Sequence, residues 1–178
     1  MNYRIILLST LLLLLVFASC DDKATNKPSS QTTPPKKEMM IPDFNADSAY
    51  HYVKKQLDFG PRVPGSESHA LCARWFEDFF NDKADTVYIQ NFRTRIYNGK
   101  GIDGKNIIAS FNLKAKKRIL LGAHWDSRPF ADHDPDEKNW NTPIDGANDG
   151  ASGVGVLMEI ARILKENPIN IGVDIILF

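Results

Sequence analysis

The chain has 178 residues, of which 43% are hydrophobic and 25% are charged, a balance typical of one ordinary globular domain. Its 22 basic and 22 acidic residues give a formal net charge of zero. We therefore expect no nucleic-acid partner, because phosphate binding needs a local excess of Lys and Arg. The densest basic run, KAKKR at residues 114–118, is typical of a solvated turn beside a strand.

The first twenty residues have the layout of an export signal. A basic residue in MNYR precedes an apolar run that is too short for a comfortable membrane span and ends in small residues. The end of this run, Phe17-Ala18-Ser19-Cys20, resembles a bacterial lipoprotein signal box with Phe where Leu is usual, which implies lipidation of Cys20. The alternative is secretion with cleavage near Ala18 to Cys20. Both interpretations predict export, and the first predicts a membrane-anchored lipoprotein of the bacterial cell envelope, facing the periplasm or the surface.

Residues 21–40 are predicted to form a disordered tether between the membrane and the domain. They are polar, rich in Ser, Thr, Pro and Lys, and too poor in apolar residues to form a core. The folded domain is predicted over residues 41–178. Cys72, the second of the two cysteines, lies in an apolar helical stripe, so we expect a buried thiol and no internal disulfide.

Two helices open the predicted domain. The first is capped by Asp47 or Asn45 and stops at Gly60-Pro61. The second is capped by Ser66, and its apolar residues recur on one broad face. We interpret its aromatic residues as core rather than as a cofactor site.

Three strands are predicted next, over residues 86–97, 106–111 and 118–124, with a turn at Asn98-Gly99 after the first. The third has an unbroken apolar run, RILLGAH, which predicts a central strand buried on both faces.

A long polar loop over residues 125–145 leads to a helix over residues 153–165 and an apolar strand over residues 171–178. A loop of this length is typically functional or mobile. The order strand, helix, strand predicts a parallel pair in an α/β sheet, whose sites lie at the carboxyl ends of the strands. Because the chain ends at Phe178 inside an apolar strand, we expect it to be a C-terminally truncated piece of a longer protein.

Two motifs carry residues that can bind a metal: HWD at residues 124–126 and DGANDGASG at residues 145–153. Side chains alternate along a strand, so His124 and Asp126 point the same way, and Asp126 can orient the imidazole. Taken alone, the first motif could be a surface His near an Asp, and the second a turn with a helix cap. Together, around a strand–helix–strand unit, they predict a metal site.

The stretch LLGAHWDSRPF followed by DGANDGASGVGVLMEIARIL resembles the zinc-dependent aminopeptidase and glutaminyl cyclase family. The likeness extends over residues 59–178, and FGPRVPGS and HWDSRPFADHD are most similar to bacterial glutaminyl cyclases. The resemblance implies a three-layer α/β fold with a mostly parallel central sheet and helices on both faces, here incomplete at the C-terminus.

The resemblance also assigns roles to individual residues. Asp149 matches the zinc-binding aspartate, and Asp126 matches the catalytic-site aspartate that supports the metal site. His124 matches a metal ligand of the two-zinc aminopeptidases, which in the single-zinc cyclases lies near the metal without necessarily binding it. Asp145 has no firm match, and we interpret it as a loop-stabilising carboxylate. The family places an acidic pair and a last His ligand after the final strand, and neither is in this sequence, whereas a catalytic zinc ion needs about three protein ligands.

Three functions remain open from the sequence. The first is a glutaminyl-peptide cyclotransferase that uses one or two zinc ions and acts on peptide or protein N-termini. The others are a zinc aminopeptidase and a non-catalytic binding module of a surface lipoprotein. The truncated chain is expected to be inactive alone and monomeric. Trp125, Phe130 and Trp140 are expected either to line a substrate pocket or to pack structurally.

Overall fold

The structure is a computed structural model that describes residues 41–96 and 99–178. The predicted signal peptide with Cys20, the predicted tether over residues 21–40, and Asn98 of the predicted turn lie outside these residues. In the part of the chain that is described, no helix is both long enough and apolar enough to cross a membrane.

Helices and strands follow one another in the predicted order. The elements are α1 (Ala46–Asp58), α2 (Glu67–Asn81), β1 (Thr86–Arg95), β2 (Gly101–Phe111), β3 (Arg118–Ala123), α3 (Ser152–Glu166) and β4 (Gly172–Leu177). Strand β2 begins at Gly101 rather than at Asn106 as predicted. The long loop contains a 3-10 turn at Glu137–Asn139, and a π-helical turn at Ala147–Ala151 runs directly into α3.

The first two helices begin and end where local signals predict. Asn45, and not Asp47, caps α1, because its side chain accepts a hydrogen bond of 2.8 Å from the backbone N–H of Ser48. Ser66 caps α2 in the same way through the N–H of His69, at 3.1 Å. Gly60, with φ of 89°, turns the chain away after α1 in a conformation that favours glycine.

The four described strands form one sheet in the order β1-β2-β4-β3. The predicted parallel pair is confirmed, since β3 and β4 run parallel and α3 connects them. The pairs β1–β2 and β2–β4 are antiparallel. The predicted α/β class is therefore confirmed, and the described strands form a mixed sheet rather than a mostly parallel one.

The core lies on one face of this sheet. Paired residues of β2 and β4, such as Ile107 with Leu177 and Ala109 with Ile175, are fully buried there. Helices α2 and α3 supply the opposing side chains, including Phe76. Helix α1 packs against α3 through contacts such as that between Ala49 and Gly155. Among the described helices, α2 and α3 thus cover one face of the sheet rather than both.

The prediction that β3 is a central strand buried on both faces is wrong for the described sheet. Strand β3 pairs only with β4 among the described strands, and Ile119 and Leu120 are 45% and 67% exposed. Strand β4 takes the central place between β2 and β3, and its residues are mostly buried. An unbroken apolar run indicates a strand, but it does not determine the strand's neighbours.

The fully buried carboxylate of Glu159 links helix α3 to the start of α1. This carboxylate accepts a hydrogen bond of 2.9 Å from the backbone N–H of Asn45 and two from the guanidinium of Arg162. The hydrogen bonds from Arg162 hold the pKa of Glu159 below its usual value of 4.5. Glu159 therefore stabilises the fold in its charged form.

We expect Glu159→Gln to lower the free energy of unfolding at pH 7 by about 1–3 kcal/mol, because a buried charge-assisted hydrogen-bond acceptor is lost. Since the pKa of Glu159 is lowered on folding, its contribution is complete above pH 4.5 and is lost as the pH falls through the lower pKa of the folded state. Chemical denaturation at several pH values measures both effects.

Glu166→Gln is the matched control, because Glu166 also binds Arg162 but its side chain is 56% exposed. We expect a change below about 0.5 kcal/mol for this variant, as for other exposed ion pairs. Equal losses for the two variants would contradict the role assigned to Glu159.

Candidate active site

The candidate site begins where β3 ends. The parallel pairing continues one residue further, with hydrogen bonds from the N–H of Phe178 to the carbonyl of Ala123 at 3.0 Å and from the N–H of Trp125 to the carbonyl of Phe178 at 3.1 Å. His124 and Asp126 then project together, as the alternation of side chains predicts. Nδ1 of His124 lies 3.1 Å from Oδ1 of Asp126.

The second half of the site is the turn that precedes α3. Gly146, with φ of 64°, opens a π-helical turn in which Asp149 departs from helical geometry at φ −102° and ψ 92°. At Gly150 a Cβ atom would overlap the backbone oxygen of His124, so only glycine lets this turn lie against the end of β3. The small residues thus bring Asp149 next to His124.

Asp126, His124 and Asp149 form a continuous row of side chains. Nε2 of His124 lies 2.9 Å from Oδ1 of Asp149, opposite its contact with Asp126. The three side chains are 43–58% exposed, so the row is open to a ligand. Asp145 lies outside the row and acts electrostatically on Arg62 instead.

The donor atoms of this row suit zinc, although they do not complete a zinc site. In the tautomer that donates from Nδ1 to Asp126, the lone pair of Nε2 is directed toward Asp149. A cation shared by Nε2 and the Asp149 carboxylate would relieve the repulsion between them, and zinc accepts both donor types. Within residues 41–96 and 99–178, no group of three or more His, Cys, Asp and Glu side chains could hold a metal ion, so the row offers two ligands.

Both loops rest on two buried polar residues that the sequence did not indicate. The guanidinium of Arg62 is fully buried and donates to the carbonyls of Trp125 at 3.2 Å and Gly146 at 3.0 Å. The amide of Gln56, also fully buried, donates to the carbonyl of Ala151 at 3.1 Å. Arg62 lies in the stretch FGPRVPGS, which carries part of the resemblance, but a basic residue in a Pro- and Gly-rich loop and a Gln in a helix are ordinarily exposed, so no local pattern predicted their burial.

Trp125 packs behind the site rather than standing free in it. Its ring stacks on His69 with centroids 4.1 Å apart, and its Nε1–H donates to the carbonyl of Lys105 at 3.1 Å. Burial lowers the pKa of His69 to about 4, although the charge of Asp126 acts in the opposite direction. The ring of His69 is therefore neutral at pH 7.

Of the three aromatic residues considered from the sequence, only Trp125 borders the cavity next to the site. This cavity measures about 320 Å³ and is also lined by His69, Asp126 and Phe178. Phe130 and Trp140 do not line it. Trp140 is instead bound within the long loop, where its Nε1–H donates to the carbonyl of Asp134 at 2.8 Å.

Similarity to known proteins agrees with this geometry. Residues 106–178 match the model of Peptidase family M28. The crystal structure of glutaminyl cyclase from Tannerella forsythia is 49% identical, with a TM-score of 0.76, over 77% of this chain and 47% of that chain.

Two further solved structures are similar to the same extent. A Zn-dependent exopeptidase from Parabacteroides distasonis is 49% identical with a TM-score of 0.77, and a leucine aminopeptidase precursor from Bacteroides thetaiotaomicron is 49% identical with a TM-score of 0.76. Each match covers 78% of this chain and 48% of the other. The chain therefore spans about half the length of the solved structures it matches. The resemblance predicted from the two motifs is confirmed, and this chain shares the fold of the solved bacterial glutaminyl cyclase and Zn-dependent exopeptidase.

Proposed function

We propose that this protein is a zinc-dependent glutaminyl-peptide cyclotransferase, which converts the N-terminal Gln of a peptide or protein to pyroglutamate and releases ammonia. The observation that carries the proposal is the convergence of Nε2 of His124 and Oδ1 of Asp149, 2.9 Å apart, at the carboxyl end of β3. The similarity to a solved glutaminyl cyclase at 49% identity supports it, as do the motifs FGPRVPGS and HWDSRPFADHD.

His124 and Asp149 would hold the zinc ion together with ligands from outside residues 1–178. When bound, zinc polarises the side-chain carbonyl of the substrate glutamine. In the overall reaction, the α-amine forms a bond to the side-chain carbonyl carbon while the bond to the amide nitrogen breaks. One proton passes from the amine to the departing ammonia, and the resemblance assigns its transfer to an acidic residue after β4.

Asp126 has a distinct task in this proposal. By accepting a hydrogen bond from the N–H at Nδ1 of His124, 3.1 Å away, Asp126 would select the tautomer whose Nε2 lone pair is free to bind a metal. It also fixes the plane of the ring, because the loop that carries Asp126 is itself held by Arg62. Asp126 is therefore a positioning residue rather than a group that touches substrate.

The second candidate is a zinc aminopeptidase. The similarity to the leucine aminopeptidase precursor at 49% identity favours it, and the row of Asp126, His124 and Asp149 suits hydrolysis of the first peptide bond equally well. We prefer the cyclase, with one or two zinc ions, because of the motifs FGPRVPGS and HWDSRPFADHD. Two zinc ions would be expected for the aminopeptidase.

The two chemistries are separated by their products. We expect the intact protein to release ammonia from Gln-initiated peptides and to leave Leu-initiated fluorogenic substrates uncleaved. An enzyme-coupled ammonia assay and amine fluorescence measure the two reactions side by side. Cleavage of the Leu substrate would establish the aminopeptidase, whereas no turnover of either substrate by the zinc-loaded protein would favour a binding module.

We expect Asp149→Ala in the intact protein to abolish stoichiometric zinc binding, because it removes one of the two ligands that this part of the chain contributes. Asp149 is 58% exposed at its side chain, so the fold should survive the change. Zinc content after dialysis is the measurement. Asp145→Ala is the matched control from the same loop and should keep the zinc content of the wild type, and undiminished zinc in Asp149→Ala would rule out the ligand assignment.

We also propose that the protein is exported and held at a membrane of the cell envelope by a lipid on Cys20. The proposal rests on the sequence Phe17-Ala18-Ser19-Cys20. Cys20→Ala should abolish incorporation of labelled fatty acid and move the protein from the detergent phase to the aqueous phase. Ser19→Ala, which keeps a small residue before the cysteine, should remain anchored, and an anchored Cys20→Ala would contradict the proposal.

A further inference from the structure

We propose that Arg62 is a positioning residue for the zinc site, which fixes the distance between the two loops that carry the metal ligands and thereby sets the affinity for zinc. The inference rests on the proposed function, since it assumes that His124 and Asp149 bind the metal. It concerns a residue of the stretch FGPRVPGS that lies outside the two metal-binding motifs and forms no hydrogen bond with the side chain of His124 or Asp149 among the described residues.

One planar group joins the two loops. Nε of Arg62 donates to the carbonyl of Trp125, the residue between His124 and Asp126, at 3.2 Å. Nη2 donates to the carbonyl of Gly146, in the turn that carries Asp149, at 3.0 Å. Because the guanidinium is rigid, these two bonds hold the carbonyls at a fixed separation.

The backbone of Arg62 holds the first loop from a second side. Its carbonyl accepts a hydrogen bond of 3.3 Å from the N–H of Ser127, next to Asp126. In the other direction, Nη1 donates to the carbonyls of Gln56 at 3.5 Å and Gly60 at 3.4 Å, at the end of α1. Arg62 thus connects both loops to the end of α1.

The packing around the guanidinium leaves little room for adjustment. A Cβ atom on Gly146 would lie 3.1 Å from Nη2 of Arg62, 2.9 Å from Cβ of Ser127 and close to the carbonyl oxygen of Asp149. A shift of the Arg62 side chain would therefore displace the backbone that carries Asp149. This is the geometric link between a buried cation and the position of a metal ligand.

The hydrogen bonds of Arg62 differ from those of an ordinary salt bridge in their acceptors. Within residues 41–96 and 99–178, its N–H groups have four acceptors, all of them backbone carbonyls, and no carboxylate is hydrogen-bonded to it. Burial lowers the pKa of Arg62, and the charges of Asp145 and Asp126 act in the opposite direction. A buried cation is costly unless its donors are satisfied, and here the satisfied donors all serve to join backbone segments.

The test compares Arg62→Met with Arg118→Met in the intact protein. Arg118 is a matched control because it also joins several segments, with hydrogen bonds to Asp174, Asn112 and Phe111, but it lies at the start of β3, whereas His124 follows its end. Both variants should unfold at lower temperature than the wild type. Only Arg62→Met should weaken zinc binding, on the order of 10- to 100-fold, as expected when a group that supports metal ligands is removed.

Two readouts separate positioning from general stability. Competition with a chelator at a temperature where all variants are folded gives the zinc affinity, and the visible absorption of the cobalt-substituted protein reports the ligand geometry. We expect an altered cobalt spectrum for Arg62→Met and a wild-type spectrum for Arg118→Met. Arg62→Lys keeps the charge but lacks the planar guanidinium that donates to both loops at once. Its zinc affinity should therefore lie between those of the wild type and Arg62→Met.

Wild-type zinc affinity in folded Arg62→Met would overturn the inference, as would equal losses in Arg62→Met and Arg118→Met. If Arg62→Met does not fold, Arg62→Lys replaces it, and an unchanged affinity and spectrum in that variant would overturn the inference as well. Failure of the proposed function is recognised separately, because a wild-type protein that binds zinc but forms no pyroglutamate leaves the affinity comparison intact.

Discussion

The close approach of Gly150 to the end of β3 is the constraint on which the candidate site depends. A Cβ atom at this position would overlap the carbonyl oxygen of His124, so the turn before α3 reaches His124 only with glycine there. Gly153 likewise lies against Ala123, where an added Cβ would meet Cβ of Ala123 at 3.2 Å. The parallel pairing of β3 with β4 requires α3 to cross the sheet, and these contacts determine how near its first turn passes to the strand end.

Helix α1 supports the turn before α3 in its close approach to the end of β3. Its start is bound to α3 through the carboxylate of Glu159 and the N–H of Asn45. Near its end, Gln56 binds the carbonyl of Ala151, where α3 begins, and also accepts a hydrogen bond from Arg62 at its own carbonyl. The start of α1 is therefore bound to the middle of α3, and its last turns are bound to the site-bearing turn. Its stability and the geometry of the site are two consequences of the same contacts.

Much of this fold follows from local sequence signals. Asn45 and Ser66 cap helices through hydrogen bonds to residues three positions ahead, and such short-range effects can be read from the chain. The joint orientation of His124 and Asp126 follows from strand alternation, and the parallel pair follows from the helix between β3 and β4.

The features that the sequence did not predict depend on distant segments. The apolar run of β3 indicates a strand, but its place at the edge of the described sheet depends on where β4 inserts. The burial of Arg62 depends on four carbonyls that come together only when α1 and both loops have folded. No local pattern in the sequence predicts that these four carbonyls come together. Asp149 was distinguished from Asp145 by the family motif, and the structure adds the geometric counterpart, since only Asp149 contacts His124.

The charges around the two loops give a physical reason for a divalent cation at the row of Asp126, His124 and Asp149. The loops carry the carboxylates of Asp126, Asp145 and Asp149, and the charges of Asp145 and Asp126 act on the buried cation Arg62. Arg62 donates to four backbone carbonyls, and within the described residues it forms no hydrogen bond with any of these carboxylates. Asp126 and Asp149 lie on opposite sides of His124, so two carboxylates flank its imidazole ring. Under the proposed function, a zinc ion bound by Asp149 beside His124 would offset these charges, and the contact of Asp126 with His124 and the hydrogen bonds of Arg62 to both loops would act on the same ion.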